Sequence, residues 1–139
     1  ILIYFALLHD IGRTDDEEDH RHGKVSVERV EREGIEIEDL AINRKDRRIA
    51  NVIIQYHSRS DEEGHAAFAA RRKKYSADEY ARLLKLYAIC KDMDGLDRVR
   101  FNGLDIFMLR TPYAKKLPLI AGCLLQENIV NVVFYPPKE

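Results

Sequence analysis

The chain has 139 residues, 45% hydrophobic and 34% charged, with 23 basic against 24 acidic side chains and a formal net charge of −1. That length fits one domain with its own core, and the apolar share excludes a disordered chain. Near-zero net charge excludes a global basic field for nucleic acid or an anionic membrane.

The chain opens ILIYFALLHD, without an initiator Met and already on an apolar run. Residues 1–8 read as the end of a buried helix, too short for a membrane span and without the basic flank of a signal peptide. The natural start is expected upstream. An acidic loop, residues 14–19, comes next. A second helix is expected from Asp19 or His20 as cap, carrying Val25, Val27 and Val30 and stopped by Gly34. The spacing of Leu40, Ile42, Ile49, Ile53 and Tyr56 predicts a third helix over 38–56. Residues 58–76 are polar, with a short surface helix over 66–74, and the segment is long enough to act as a lid. Ser76 and Glu79 form a capping-box pattern. The helix they open carries Tyr80, Leu83, Leu84, Tyr87, Cys90 and Met93. A last helix, 118–128, is apolar almost all round, so it is buried or pairs with a second copy as a homodimer. Residues 132–135 are the one strand-like run. The fold class is all-α, one domain over 1–139, a helical bundle. Cys90 and Cys123 form no CxxC or second pair, so a cytoplasmic location is the default.

Polar residues on apolar faces carry the chemistry. His9 and Asp10 end an apolar helix, where an unpaired carboxylate is costly; a metal ion would satisfy both, and so would a simple His–Asp pair. Leu83, Tyr87, Cys90 and Asp94 fall on one helical stripe, which puts Asp94 on the core side. Asp92 lies about 200° away from Asp94 and aligns with Lys85 and Ala81 on the solvated side. His57 shares a face with Ala50, Ile53 and Ile54, which fits either a core histidine or a ligand. His22, in the first turn of its helix, is a ligand candidate or a partner of Asp19. His20 and His65 have polar surroundings and read as exposed. Arg71-Arg-Lys-Lys74 is a solvated basic run without aromatic interleaving, and nucleic acid is not expected as a partner.

Four motifs in order, Ala6-Leu-Leu-His-Asp-Ile-Gly-Arg13, His22-Gly23-x-x-Ser26, Tyr56-His57-Ser58 and Lys91-Asp-Met-Asp-Gly-Leu-Asp-Arg98, resemble the HD superfamily of metal-dependent phosphohydrolases. The resemblance implies a helical bundle with His9 and Asp10 as the HD pair and Asp94 as the final aspartate. It implies His22 and His57 as the two extra histidines of the dinuclear subset, a layout similar to the bacterial HD-type diadenosine tetraphosphate hydrolases. The family's first histidine lies on a helix upstream of the HD pair, and no residue of this chain fills that place.

The same resemblance implies a hydrolase that uses a metal-bound hydroxide on a nucleotide or related phosphate ester, with Asp10 and Asp94 catalytic. One or two divalent ions are implied, manganese, iron, nickel, cobalt or zinc. Lys91, Arg13, Arg59 and Arg98 flank the ligands as candidates for binding phosphate. Two other readings share these residues: an HD-type di-iron oxygenase, and a regulatory HD module without catalysis.

Overall fold

The computed structural model describes residues 1–14, 19–101 and 103–134, and among these every regular element is helical. Six α-helices occur in order: α1 (Leu2–Leu8), α2 (His22–Glu33), α3 (Arg44–His57), α4 (Asp61–Ala70), α5 (Ala77–Asp97) and α6 (Pro118–Phe134). Short 3-10 turns cover Arg72–Lys74, Arg98–Phe101, Ile106–Met108 and Ala114–Lys116. The chain divides into two compact units, Ile1–Cys90 and Lys91–Glu139.

In the first unit α3 is the hub, touching α1, α2 and α4. Its buried residues Ile49, Ala50, Ile53, Ile54 and His57 recur at helical spacing and meet Tyr4, Phe5 and Leu8 of α1, Val30 of α2 and Leu83, Tyr87 and Cys90 of α5. α2 ends where expected: Gly34 adopts φ +61, the left-handed conformation that glycine takes without a Cβ penalty. α5 opens on the expected capping box. Ser76 Oγ accepts from Glu79 N at 3.1 Å, and Glu79 Oε2 accepts from Ser76 N at 2.9 Å.

Several elements differ from expectation. α2 starts at His22 with Arg21, not Asp19 or His20, in the cap position; of the acidic loop only Thr14 and Asp19 lie among the described residues. α3 starts at Arg44 rather than at residue 38, because Asn43 caps it by accepting from Asp46 N at 2.9 Å. Leu40 and Ile42 pack on the core from an irregular segment, whose Asp39 has φ +61. The short surface helix expected over 66–74 is α4, which lies earlier, over Asp61–Ala70; most of its residues are exposed and one side anchors it on the core. Ser60 and Glu63 form a second capping box, Phe68 is fully buried, and a Cβ on Gly64 would sit 2.3 Å from the Tyr87 hydroxyl. A single aromatic among alanines carries almost no amphipathic pattern, so periodicity could not reveal it.

Within the second unit, residues Val132 to Phe134 continue α6 and are not a strand, while Tyr135 lies outside the described residues. Leu119, Ile120 and Leu124 of α6 are exposed, so of the two readings, burial or pairing with a second copy, burial does not hold for this part of the helix. Asp92 also departs from expectation. It is 2% exposed, and its two carboxylate oxygens accept from Arg110 N and Thr111 N, each at 2.7 Å. The face of α5 that is open at Ala81 and Lys85 is covered by the returning chain at Asp92. A helical wheel gives the angle of a residue and not what lies over it. No helix among the described residues is long and apolar enough to cross a membrane.

Candidate metal centre

The turn after α1 is held against the start of α2 by one hydroxyl. Ser26 Oγ donates to His9 O at 2.6 Å and accepts from Gly12 N at 2.9 Å. The approach is close enough that a Cβ on Gly12 would lie 2.4 Å from Ser26 N and 2.8 Å from His22 O. α2 is equally close to α3: a Cβ on Gly23 would lie 2.2 Å from Ile54 O and 2.9 Å from His57 Nδ1. Two glycines and one serine therefore bring the ends of three helices to one point, around Asp10.

Three imidazoles surround that point. His22 Nε2 lies 3.1 Å from Asp10 Oδ1, His57 Nε2 lies 3.6 Å from the same oxygen, and His9 Nε2 lies 3.5 Å from Asp10 Oδ2. Each ring is oriented through its other nitrogen by a main-chain carbonyl: Phe5 O at 3.0 Å from His9 Nδ1, Ile54 O at 2.7 Å from His57 Nδ1, and Asp19 O beside His22 Nδ1. A carbonyl only accepts, so Nδ1 carries the proton of each neutral ring and Nε2 presents its lone pair. This is the way proteins orient a metal-binding histidine. Aromatic packing fixes the rings further, with Phe5 stacked on His9 at 4.6 Å and edge-on to His57 at 5.5 Å.

The consequence is an excess of acceptors. His22 Nε2 and His57 Nε2 face each other at 2.9 Å, and Asp10 Oδ1 is buried with no hydrogen-bond donor of its own. Burial pushes the Asp10 carboxyl up, but hydrogen bonds from His22 and His57 and the charge of His9, each of which needs a second proton on the ring at Nε2, outweigh it and hold the group well below the usual carboxylate range. Facing lone pairs and an ionised carboxylate need a proton or a cation among them. Two nitrogens bound to one first-row ion at about 2.1 Å are separated by about 3 Å at a right angle, which the His22–His57 spacing matches. His9, Asp10 and His57 each offer a ligand atom, and the three atoms lie within 4.8 Å of one another. The donor set fits a divalent metal.

The site is open on one side. Side-chain exposure is 32% at Asp10, 28% at Arg13 and 18% at His9, but 8% at His22 and 1% at His57. Arg13 Nη1 lies on that open side, 3.7 Å from Asp10 Oδ2. Arg59, just beyond the end of α3, pairs with Glu63 at 3.2 Å. Lys91, Asp94 and Arg98 belong to the second unit, where Lys91 is buried, Asp94 half-buried and Arg98 exposed. His65 is exposed as expected, its ring 5.7 Å from Tyr87; His20, also exposed, pairs with the Ser58 carbonyl at 3.2 Å. Ser26, Gly12 and Gly23, present in the quoted motifs but given no role from sequence, are the positioning residues. Their signal was the four-residue step from His22 to Ser26, which puts both on one face of α2.

The family model of the HD domain matches residues 1–99, which takes in every element of this site. No curated protein and no solved structure matches the chain.

Proposed function

The chain belongs to the HD-domain family, and from that premise we propose that it is a metal-dependent hydrolase of phosphoric esters or anhydrides, acting on a nucleotide or related phosphate. The observation that carries the reading is the convergence of three Nε2 lone pairs on the ionised Asp10. His9, Asp10, His22, His57 and Asp94 would hold one or two divalent ions, with manganese, iron, nickel, cobalt and zinc all compatible with nitrogen and carboxylate donors. When bound, such an ion supplies an acidified water and neutralises charge on a phosphoryl group.

The residues of the chain divide the remaining work. Asp10, reached by all three imidazoles, holds the negative charge at the centre of the site. The carbonyls of Phe5, Asp19 and Ile54 fix the rings so that no reorientation is needed on loading. Arg13, on the open side, meets the substrate phosphate, with Arg59, Lys91 and Arg98 as further anion-binding candidates. Phe5 closes the floor and excludes water from the far side of His9 and His57.

The test joins elemental analysis of purified protein with a panel of nucleotides and simple phosphate esters. Stoichiometric metal and turnover are expected in the wild type, with both lost in Asp10→Ala and Asp94→Ala. Equal metal in wild type and Asp10→Ala overturns the site. An iron pair that consumes dioxygen without hydrolysing any ester moves the assignment to the oxygenase branch, and metal without turnover to a regulatory module.

A further inference from the structure

A second site lies on the other side of α3. A groove of about 670 Å³ is lined by Arg44, Lys45, Arg47 and Arg48 of α3 and by Arg71 and Lys74 beyond α4, with Glu31 its one acid. Its α3 stripe, Arg44, Arg48, Asn51 and Gln55, runs at steps of four, three and four, about 150° around the helix from His57. A molecule in the groove is therefore kept from Asp10 by the thickness of α3.

The charges of the groove are incompletely answered within the chain. Arg47 lies 3.5 Å from Glu36, while Lys45 and Arg48 share Glu79 at 3.6 and 3.8 Å. Arg44, Arg71 and Lys74 form no ion pair among the described residues. Like charges gathered around one concavity repel, and a polyanion relieves them. The volume is that of a small-molecule site. Aromatic faces for stacking bases are already taken: Arg48 covers Tyr75 at 5.1 Å and Arg71 covers Tyr56 at 5.4 Å. That favours recognition of phosphate over recognition of bases.

We propose that this groove binds an oligophosphate, the phosphate chain of a nucleotide or of inorganic polyphosphate, at a site separate from Asp10. Binding in the groove does not depend on whether the metal centre is hydrolytic.

Titration of the full chain with inorganic tripolyphosphate at about 0.15 M salt, monitored by amide NMR shifts, tests it. Shifts are expected over residues 44–55 and 71–75, with Kd below about 1 mM. Arg44→Gln with Lys74→Gln, two exposed cations without acidic partners, should weaken binding by about tenfold or more. Arg32→Gln with Lys73→Gln removes the same charge outside the groove and should leave Kd unchanged. ATP within about threefold of tripolyphosphate supports an inorganic chain as ligand, and tighter ATP binding supports a nucleotide. Shifts confined to the surroundings of Asp10, His22 and His57, or equal weakening by the control pair, would overturn the proposal. So would single-stranded RNA binding the groove more than about tenfold tighter than either small ligand.

Discussion

His9, His22 and His57 share one local device, a main-chain carbonyl accepting from Nδ1, and differ in how the carbonyl is supplied. For His9 and His57 it comes from the preceding turn of the same helix, Phe5 and Ile54; for His22 it comes from Asp19, just before α2 begins. The same economy appears at Asp92, whose two oxygens satisfy two main-chain N–H groups. Asp92→Ala leaves two part-buried donors without their acceptor, so a destabilisation of about 1–3 kcal/mol is expected, read from denaturant melts, with metal content retained. Asp10→Asn removes negative charge without removing volume. It should lose metal while the fold persists, seen as an unchanged far-ultraviolet spectrum beside a lowered metal-to-protein ratio. Cys90 offers a pH test. Burial pushes its thiol up to about 12, whereas Cys123 is exposed. A thiol raised on folding contributes stability that is complete below the unfolded thiol range, about 8.5, and is lost as pH rises toward 12. Melts between pH 8 and 10 should therefore fall more steeply in wild type than in Cys90→Ala. Iodoacetamide at neutral pH should label Cys123 alone until the protein is unfolded.

At the scale of elements, the close approaches decide what the helices can do. Gly23 lets α2 lie on the carbonyl of Ile54, directly beside the nitrogen that orients His57. Gly23→Ala must separate α2 from α3, at a cost of about 1–3 kcal/mol, and tilts His57 as it does so. Metal affinity should drop in this variant more than in a distant variant of equal stability, such as Ser76→Ala, which loses a cap worth about 1 kcal/mol. α4 is anchored by Phe68, which meets the Tyr87 ring edge-on at 4.8 Å. Phe68→Ala should cost about 3–5 kcal/mol in unfolding experiments. A change in substrate KM with full stability would instead support a lid role for this segment.

At the scale of the whole molecule, a metal that binds only the folded chain must add to stability. At a free concentration of a hundred times Kd the gain is about 2.7 kcal/mol, so a chelator should lower Tm and re-addition of metal restore it. An identical Tm with and without chelator would sink the metal centre. Much of this protein was legible in residues 1–139 read as a string. The 3.6-residue periodicity, the capping boxes and Gly34 mark helices because they act within one or two turns. The spaced His9-Asp10, His22 and His57 mark a site because ligand chemistry admits few residue types. What the string could not reveal depends on partners far along the chain. Phe68 reads as a lone aromatic until Tyr87 is placed beside it, and Asp92 reads as solvated until Arg110 and Thr111 return over it. Local spacing determined an all-α chain with ligand-type residues on apolar faces, and four motifs in order carried its resemblance to the HD family. Only tertiary packing decided that Ser26, Gly12 and Gly23 draw three helix ends together around Asp10, because close approach is a property of facing surfaces and not of any one helix.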